Sequence, residues 1–311
     1  MNSSPSSPLR LGTRSSKLAR SQADWVAGEL RHLGHTLELV EITTRGDQQA
    51  GALGTFGGEG LFTKELERAL LGHTVVFAVH SLKDLPTESV DGLKLVAVPL
   101  RASAADVLIS NVADSYQQLS AGARVGTGSI RRIAQLLNLR PDLQLVGIRG
   151  NIDTRLAKLD DGQYDAIVLA EAGLQRLGLE HRITQSFSTE MMLPAVGQGA
   201  LGLECRVDDQ RTTMALAELD NPDSHAEVSA ERSLLAHLRA GCSAPIGALA
   251  TIQPDGELKL AAAVLSGDGQ QRTFSAAVRP LRYACELGQQ VAEQLLADGA
   301  AELIATARPP Q

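Results

Sequence analysis

Short β-branched runs alternate with amphipathic helical stretches through the first two thirds of the chain, and the alternation occurs twice. Parallel strands need a crossover helix between them, so this rhythm confines the chain to α/β layers with mostly parallel sheets. Strands are predicted at 9–13, 37–42, 75–79 and 93–98, with helices at 17–33 and 64–71. After a proline-led crossing at 99–105 the pattern restarts, with strands at 107–109, 124–126, 143–146 and 166–169 and helices at 130–139 and 152–159. Beyond Pro194, the residues Leu201, Leu203, Cys205 and Val207 recur with period two, which predicts a further strand. The style changes at Asn221-Pro222, which opens a long helix carrying Val228, Leu235 and Leu238 and stops at Ala240-Gly241-Cys242. Alternating segments at 248–252, 258–264 and 271–278 follow, joined by Pro-Asp-Gly and Gly-Asp-Gly turns, and a helix at 281–296 closes the chain. The expected architecture is two similar doubly wound α/β modules and a small α+β C-terminal domain with an antiparallel sheet.

Composition narrows the function classes. With 311 residues, 43% hydrophobic and 21% charged, the chain is long and apolar enough for ordered domains without disulfide staples. A net charge of −7 and only 3% aromatic residues argue against a nucleic-acid surface or a base-stacking platform. No apolar run reaches the roughly 18 residues of a membrane span, and the first eight residues lack the layout of a secretion signal. Three cysteines without a CxxC pair argue against a disulfide framework or zinc knuckle and fit a reducing cytoplasm. The histidines show no HxxxH or HExxH spacing, so no metal site is expected. Cys205 and Cys285 read as core residues. Cys242 differs, because Ala-Gly-Cys-Ser-Ala-Pro has no apolar period and sits in a loop at a helix end, where a thiol can be reactive.

Basic residues collect where strands end. In Arg124-Val-Gly-Thr-Gly-Ser-Ile-Arg-Arg132 a strand, a glycine turn and a helix follow one another. Ser129 is the natural N-cap, which puts Arg131 and Arg132 in the first turn against the helix dipole. Folding alone offers no reason for that choice, whereas a bound anion reverses the sign of the effect. Val146-Gly-Ile-Arg-Gly-Asn-Ile-Asp-Thr-Arg155 repeats the device, with Asn151 as cap, Arg149 at the strand end and Arg155 one turn inside. Arg14 and Lys83 follow two further strands. Any one of these cations reads equally well as solvated or salt-bridged. Together, in an acidic chain, they favour a cleft for a ligand with several carboxylates or phosphates. Asp84, beside Lys83 in Val-His-Ser-Leu-Lys-Asp-Leu-Pro, is either an ordinary turn carboxylate or one held to stabilise a cation formed in a reaction.

These segments carry a family resemblance. GEGLFTKELE, AVHSLKDLP, VGTGSIRR, IRGNIDTRL, YDAIVLAEAGLQRLGL, LPAVGQGALGLECR and AGCSAPIG occur in order along nearly the whole chain. The sequence resembles the porphobilinogen deaminase (hydroxymethylbilane synthase) family of tetrapyrrole and haem biosynthesis. The resemblance implies a cytoplasmic, monomeric transferase acting on porphobilinogen, with no nucleic-acid or membrane partner. It implies two lobes like those of periplasmic binding proteins, domain 1 at 1–99 completed by 197–218 and domain 2 at 100–196, then a cofactor-carrying domain at 219–311. It implies a dipyrromethane cofactor held as a thioether on Cys242, a primer that accepts four porphobilinogen units with loss of ammonia before water releases hydroxymethylbilane. Asp84 matches the family's catalytic residue. The positions matching the cofactor-binding set are Cys242, Ser81, Lys83, Asp84, Thr127, Ser129, Arg131, Arg132, Arg149 and Gly150. Those matching the substrate-binding set are Arg14, Ser16, Arg149, Arg155 and Arg176. Two stretches depart from the pattern: Thr55 and Glu59 stand where members often carry lysines of a mobile loop, and 101–106 lacks the more charged, proline-containing form. The rival reading is a two-lobed module that clamps an anion without chemistry.

Overall fold

The computed structural model describes residues 7–42, 63–240 and 244–306. Thr55, Glu59 and Cys242 lie outside the described residues. The contacts divide the chain into two units, residues 1–101 with 200–225 and residues 102–199 with 226–311.

The first unit is built on a five-stranded sheet of order β2-β1-β3-β10-β4. Its strands are β1 (Leu9–Thr13), β2 (Leu37–Glu41), β3 (Phe77–Ser81), β4 (Leu93–Ala97) and β10 (Leu201–Arg206). β1 runs parallel to β2 and β3, while β10 is antiparallel to both β3 and β4. Both faces are covered, as a doubly wound sheet requires. On one face, Ala23, Val26, Ala27 and Leu30 of α1 (Lys17–His32) and Ala215 and Leu216 of α6 (Gln210–Ala217) pack on Leu9, Leu11, Phe77, Val79, Leu203 and Cys205. On the other, Leu66, Ala69 and Leu70 of α2 (Lys64–Leu71) pack on Ala78 and Leu93. Strand β3 starts two residues later than its pattern predicts. The β-branched pair Val75-Val76 precedes it, and only Val76 extends the ladder, donating its N–H to Arg10 O at 2.9 Å.

The second unit repeats that plan. Its sheet has the order β7-β6-β8-β5-β9, from β5 (Asp106–Ser110), β6 (Arg124–Gly126), β7 (Gln144–Val146), β8 (Ala166–Ala170) and β9 (Gln185–Ser186). β6 is parallel to β7 and β8, and β5 is antiparallel to β8 and β9. Each five-stranded sheet therefore has one reversed strand in the fourth place. Leu136 of α3 (Ile130–Leu139) covers one face with Tyr116 and Phe187, and Leu156 and Leu159 of α4 (Ile152–Asp160) cover the other with Leu174 of α5 (Glu171–Gln175).

The same unit holds a three-stranded antiparallel sheet, β11 (Ile246–Ile252), β12 (Glu257–Leu265) and β13 (Arg272–Pro280). One face is packed by α7 (Pro222–His237), α8 (Ala284–Ala297) and α9 (Ala300–Thr306). The buried stripe of α8 is Ala284, Leu287, Gly288, Val291, Ala292 and Leu295. Cys285 falls off that stripe and is exposed, which corrects the core expectation for it. Cys205 does sit in the core, fully buried on β10. Among the described residues no helix is long and apolar enough to cross a membrane, and no cluster of three metal-ligating side chains occurs.

A buried carboxylate joins the α7 helix to its surroundings. Glu231 is 0% exposed; its Oε2 accepts from Gly197 N at 2.7 Å and its Oε1 from Ala250 N at 2.9 Å. An orphaned buried donor costs about 1–3 kcal/mol, so Glu231→Ala, which strands both N–H groups, should lower unfolding stability by about 2–6 kcal/mol. Urea unfolding followed by circular dichroism checks this; an unchanged midpoint and slope would show that the two bonds are replaceable.

Candidate anion and catalytic site

In the first unit, β1 and β3 are adjacent parallel strands, so their carboxyl ends lie side by side. That edge carries Arg14 and Ser16 after β1 and Ser81, Lys83 and Asp84 at the end of β3, the location where open α/β sheets bind ligands. Ser16 is the N-cap of α1, accepting from Ala19 N at 3.3 Å. Ser81 is held by Gln22, whose Nε2 donates to Ser81 Oγ at 2.9 Å while that hydroxyl donates to Gln22 Oε1 at 3.2 Å. Leu82–Asp84 form a single 3₁₀ turn that buries Leu82 and leaves the Asp84 carboxylate exposed. Gln22, itself only 3% exposed, is a residue the sequence does not single out. A glutamine on a helix stripe carries no signal of what it touches 59 residues later.

In the second unit the corresponding edge is formed by the ends of β7, β6 and β8. Thr127 and Ser129 follow β6, and Ser129 caps α3 as expected, accepting from Arg132 N. Asn151 caps α4, accepting from Thr154 N at 3.0 Å. Gly150 has φ 115°, and a Cβ there would meet Thr154 Cβ at 2.8 Å, so the loop after β7 admits only glycine at this point. Arg155 reaches back to donate from Nε to Gly150 O at 2.7 Å, while Arg149 is exposed. Arg176, at the end of α5, donates from Nη2 to Gly199 O at 2.7 Å, and burial pushes its guanidinium down to about 10.

Arg131 and Arg132 depart from expectation. They start α3 as predicted, but both are buried and both pair with Asp106 at the head of β5. Arg131 Nη1 donates to Asp106 Oδ2 at 2.7 Å and to Leu193 O at 2.7 Å. Arg132 Nε and Nη2 donate to Asp106 Oδ1 at 3.0 and 2.7 Å, and its Nη1 donates to Val168 O at 2.8 Å. Gln198 Nε2 adds a further bond to Asp106 Oδ1 at 2.9 Å. The premise that folding gives these arginines no reason to oppose the dipole is thus corrected, because an internal carboxylate supplies the anion. Burial alone would raise the Asp106 carboxyl, but Arg131 and Arg132 outweigh it and hold it well below the usual carboxylate range. Two cations still face one anion, and Arg131 Nε is buried with no hydrogen-bond partner among the described residues. That surplus fits a group bearing carboxylates.

Asp106→Asn keeps the shape and removes the charge. Breaking a buried pair costs about 3–5 kcal/mol, and that loss is expected for the unliganded protein. A carboxyl whose folded pKa is depressed stabilises above its unfolded value, near 3.9, and the contribution is lost as pH falls toward the folded value. Thermal melts should show an equal gap between wild type and Asp106→Asn at pH 6 and pH 8, narrowing below about pH 4. A gap that changes between pH 6 and 8 would contradict an ionised Asp106 throughout that range.

Nearly the whole chain, and not only these clusters, matches known sequences. A family model described as porphobilinogen deaminase, dipyromethane cofactor binding domain, covers residues 9–214, and the model of the porphobilinogen deaminase C-terminal domain covers residues 225–297. A porphobilinogen deaminase of Brevibacillus brevis is 47% identical over 299 residues, 95% of this chain and 96% of the relative. That of Desulforudis audaxviator is 48% identical over 301 residues, 96% and 97% of the two chains. Among solved structures, the chain is similar to a methionine-binding protein, MetQ, with TM-score 0.45 and 14% identity over 68% of this chain and 89% of that one. A periplasmic substrate-binding protein of an ABC transporter from Coxiella burnetii gives TM-score 0.44 and 15% identity over 72% and 96%. The family models and the full-length relatives agree from strand β1 to helix α8, and the chain belongs to the porphobilinogen deaminase family.

Proposed function

We propose that this chain is a hydroxymethylbilane synthase that condenses four porphobilinogen molecules head to tail, with Asp84 as the catalytic carboxylate and Cys242 as the thioether anchor of dipyrromethane. Family membership over the full chain carries the reading, and the strand-end chemistry supports it. When bound, the cofactor supplies a covalent pyrrole primer to which substrate units are joined. Besides Cys242, the residues that would hold it are Ser81, Lys83, Asp84, Thr127, Ser129, Arg131, Arg132, Arg149 and Gly150.

The chain's own groups divide the work. Each pyrrole bears an acetate and a propionate, and guanidinium forks grip carboxylates with paired hydrogen bonds. Arg14, Ser16, Arg149, Arg155 and Arg176 are the proposed substrate set. Arg176 is half-buried, so its charge is screened less by water than that of an exposed arginine. Loss of ammonia from porphobilinogen leaves a cation. A carboxylate fixed at the end of β3 stabilises that charge as it develops and accepts hydrogen bonds from pyrrole N–H groups. A purely clamping module needs the cations but has no use for Asp84 on a turn that starts from the anchored Ser81 and Leu82.

Asp84→Asn preserves size and hydrogen bonding and removes the charge. Single-turnover ammonia release at saturating porphobilinogen should slow by about 10²–10³-fold, the usual loss when one preorganised electrostatic stabiliser is removed. Equal rates would take Asp84 out of the mechanism. Intact-mass measurement of purified protein should show the mass of two added pyrrole units on wild type and none on Cys242→Ser. An adduct retained on the serine variant would move the anchor elsewhere.

A further inference from the structure

The mechanism leaves one buried ionisable pair unused. His80 on β3 and Glu204 on β10 have side chains 3% and 8% exposed, and His80 Nε2 lies 3.0 Å from Glu204 Oε2. A carboxylate only accepts, so Nε2 carries the proton of this bond. The strands are antiparallel with Gly202 opposite His80, which sets His80 and Glu204 diagonally on one face of the sheet. On that face Ala78 and Leu93 pack on α2, and the buried Arg206, two residues beyond Glu204, donates from Nη1 to Leu70 O at 2.7 Å.

A buried hydrogen-bonded pair is poor value for stability alone, since well-packed apolar residues often serve equally well. Its place is more informative. His80 is followed by Ser81, Leu82, Lys83 and Asp84. The start of the turn is held at two residues: Ser81 by Gln22, and Leu82 by its N–H to Ala200 O at 3.0 Å and by its side chain over Gly202, where a Cβ would approach Leu82 Cδ1 to 2.7 Å. The His80–Glu204 bond fixes the last buried side chain before that turn and ties it to the strand whose preceding residue holds Leu82.

We infer that Glu204 and His80 are positioning residues for the Lys83-Asp84 turn: their bond sets where β3 delivers the Asp84 carboxylate, and so acts on catalysis through Asp84 rather than by touching substrate. The inference rests on the reading of Asp84 as catalytic.

Three variants test it in the full-length enzyme, with rates expressed per cofactor-loaded molecule counted by intact mass and with melts recorded in parallel. Glu204→Gln keeps an oxygen that accepts from Nε2, and should retain kcat within about 3-fold. Glu204→Asp keeps the charge but draws the carboxylate back by one methylene. It should fold and lose roughly 10-fold in kcat at unchanged KM, because small misplacements of reacting groups cost up to about 10²-fold. His80→Leu/Glu204→Leu leaves no orphaned polar atom, so it should melt near wild type yet lose roughly 10–100-fold in kcat. Wild-type kcat in the double variant or in Glu204→Asp would overturn the inference and leave the pair a matter of stability. Asp84→Asn is run alongside: if it is slow while the pair variants are fast, only this inference fails, and if it is fast, the catalytic reading of Asp84 fails first.

Discussion

A single carboxylate with no exposed surface, Asp106, decides what the amino end of α3 is. Two guanidinium groups at that end add to the positive pole of the helix dipole, and almost none of this charge is in contact with bulk water. Without a counter-charge the arrangement carries the desolvation cost of two ions and their mutual repulsion. Asp106 removes most of that cost and, through Gln198, also fixes a segment 92 residues away. The head of β5, the first turn of α3 and the stretch from Leu193 to Gln198 therefore share one electrostatic centre. The residues proposed to bind anions are the same ones that hold the second sheet to its helix, so binding and folding cannot be separated there.

The first unit solves the same geometric problem differently. The turn after β3 is held by neutral hydrogen bonds and by packing over a glycine, and a buried histidine–carboxylate bond lies just before it. Its acid is left exposed at the tip. One module thus presents surplus positive charge from a buried network, and the other presents a negative group on a braced but open turn. Both sheets place one reversed strand fourth, so at the ligand-facing edges the contrast comes from side chains at the strand ends.

Periodicity makes most of the framework readable: the strands of both sheets, the helices between them, and the caps Ser129 and Asn151 all come from local pattern and local hydrogen bonding. The illegible part is non-local. Asp106 pairs with residues 25 and 26 positions away, and nothing in its neighbourhood distinguishes it from a surface aspartate at a strand start. The dipole alone makes Arg131 and Arg132 point to a ligand and gives no hint of the internal anion. Gln22 and Glu231 bond across 59 and 34 residues. Cys285 has apolar neighbours at helical spacing, yet the buried stripe of its helix runs one position over. The two-residue strand β9 is too short to leave a period.

The place of β10 has a consequence for synthesis. It lies between β3 and β4 and pairs with both, yet it is made more than a hundred residues after them. While the chain emerges from the ribosome, β3 and β4 have no shared neighbour until Leu201–Arg206 has appeared. The second sheet, by contrast, has all its strands once Ser186 is out. Of the two five-stranded sheets, the one begun first is therefore completed second, the reverse of the usual order in which amino-terminal domains fold ahead of later ones. Until then its unpaired strand edges are exposed to the same hazards as any open sheet.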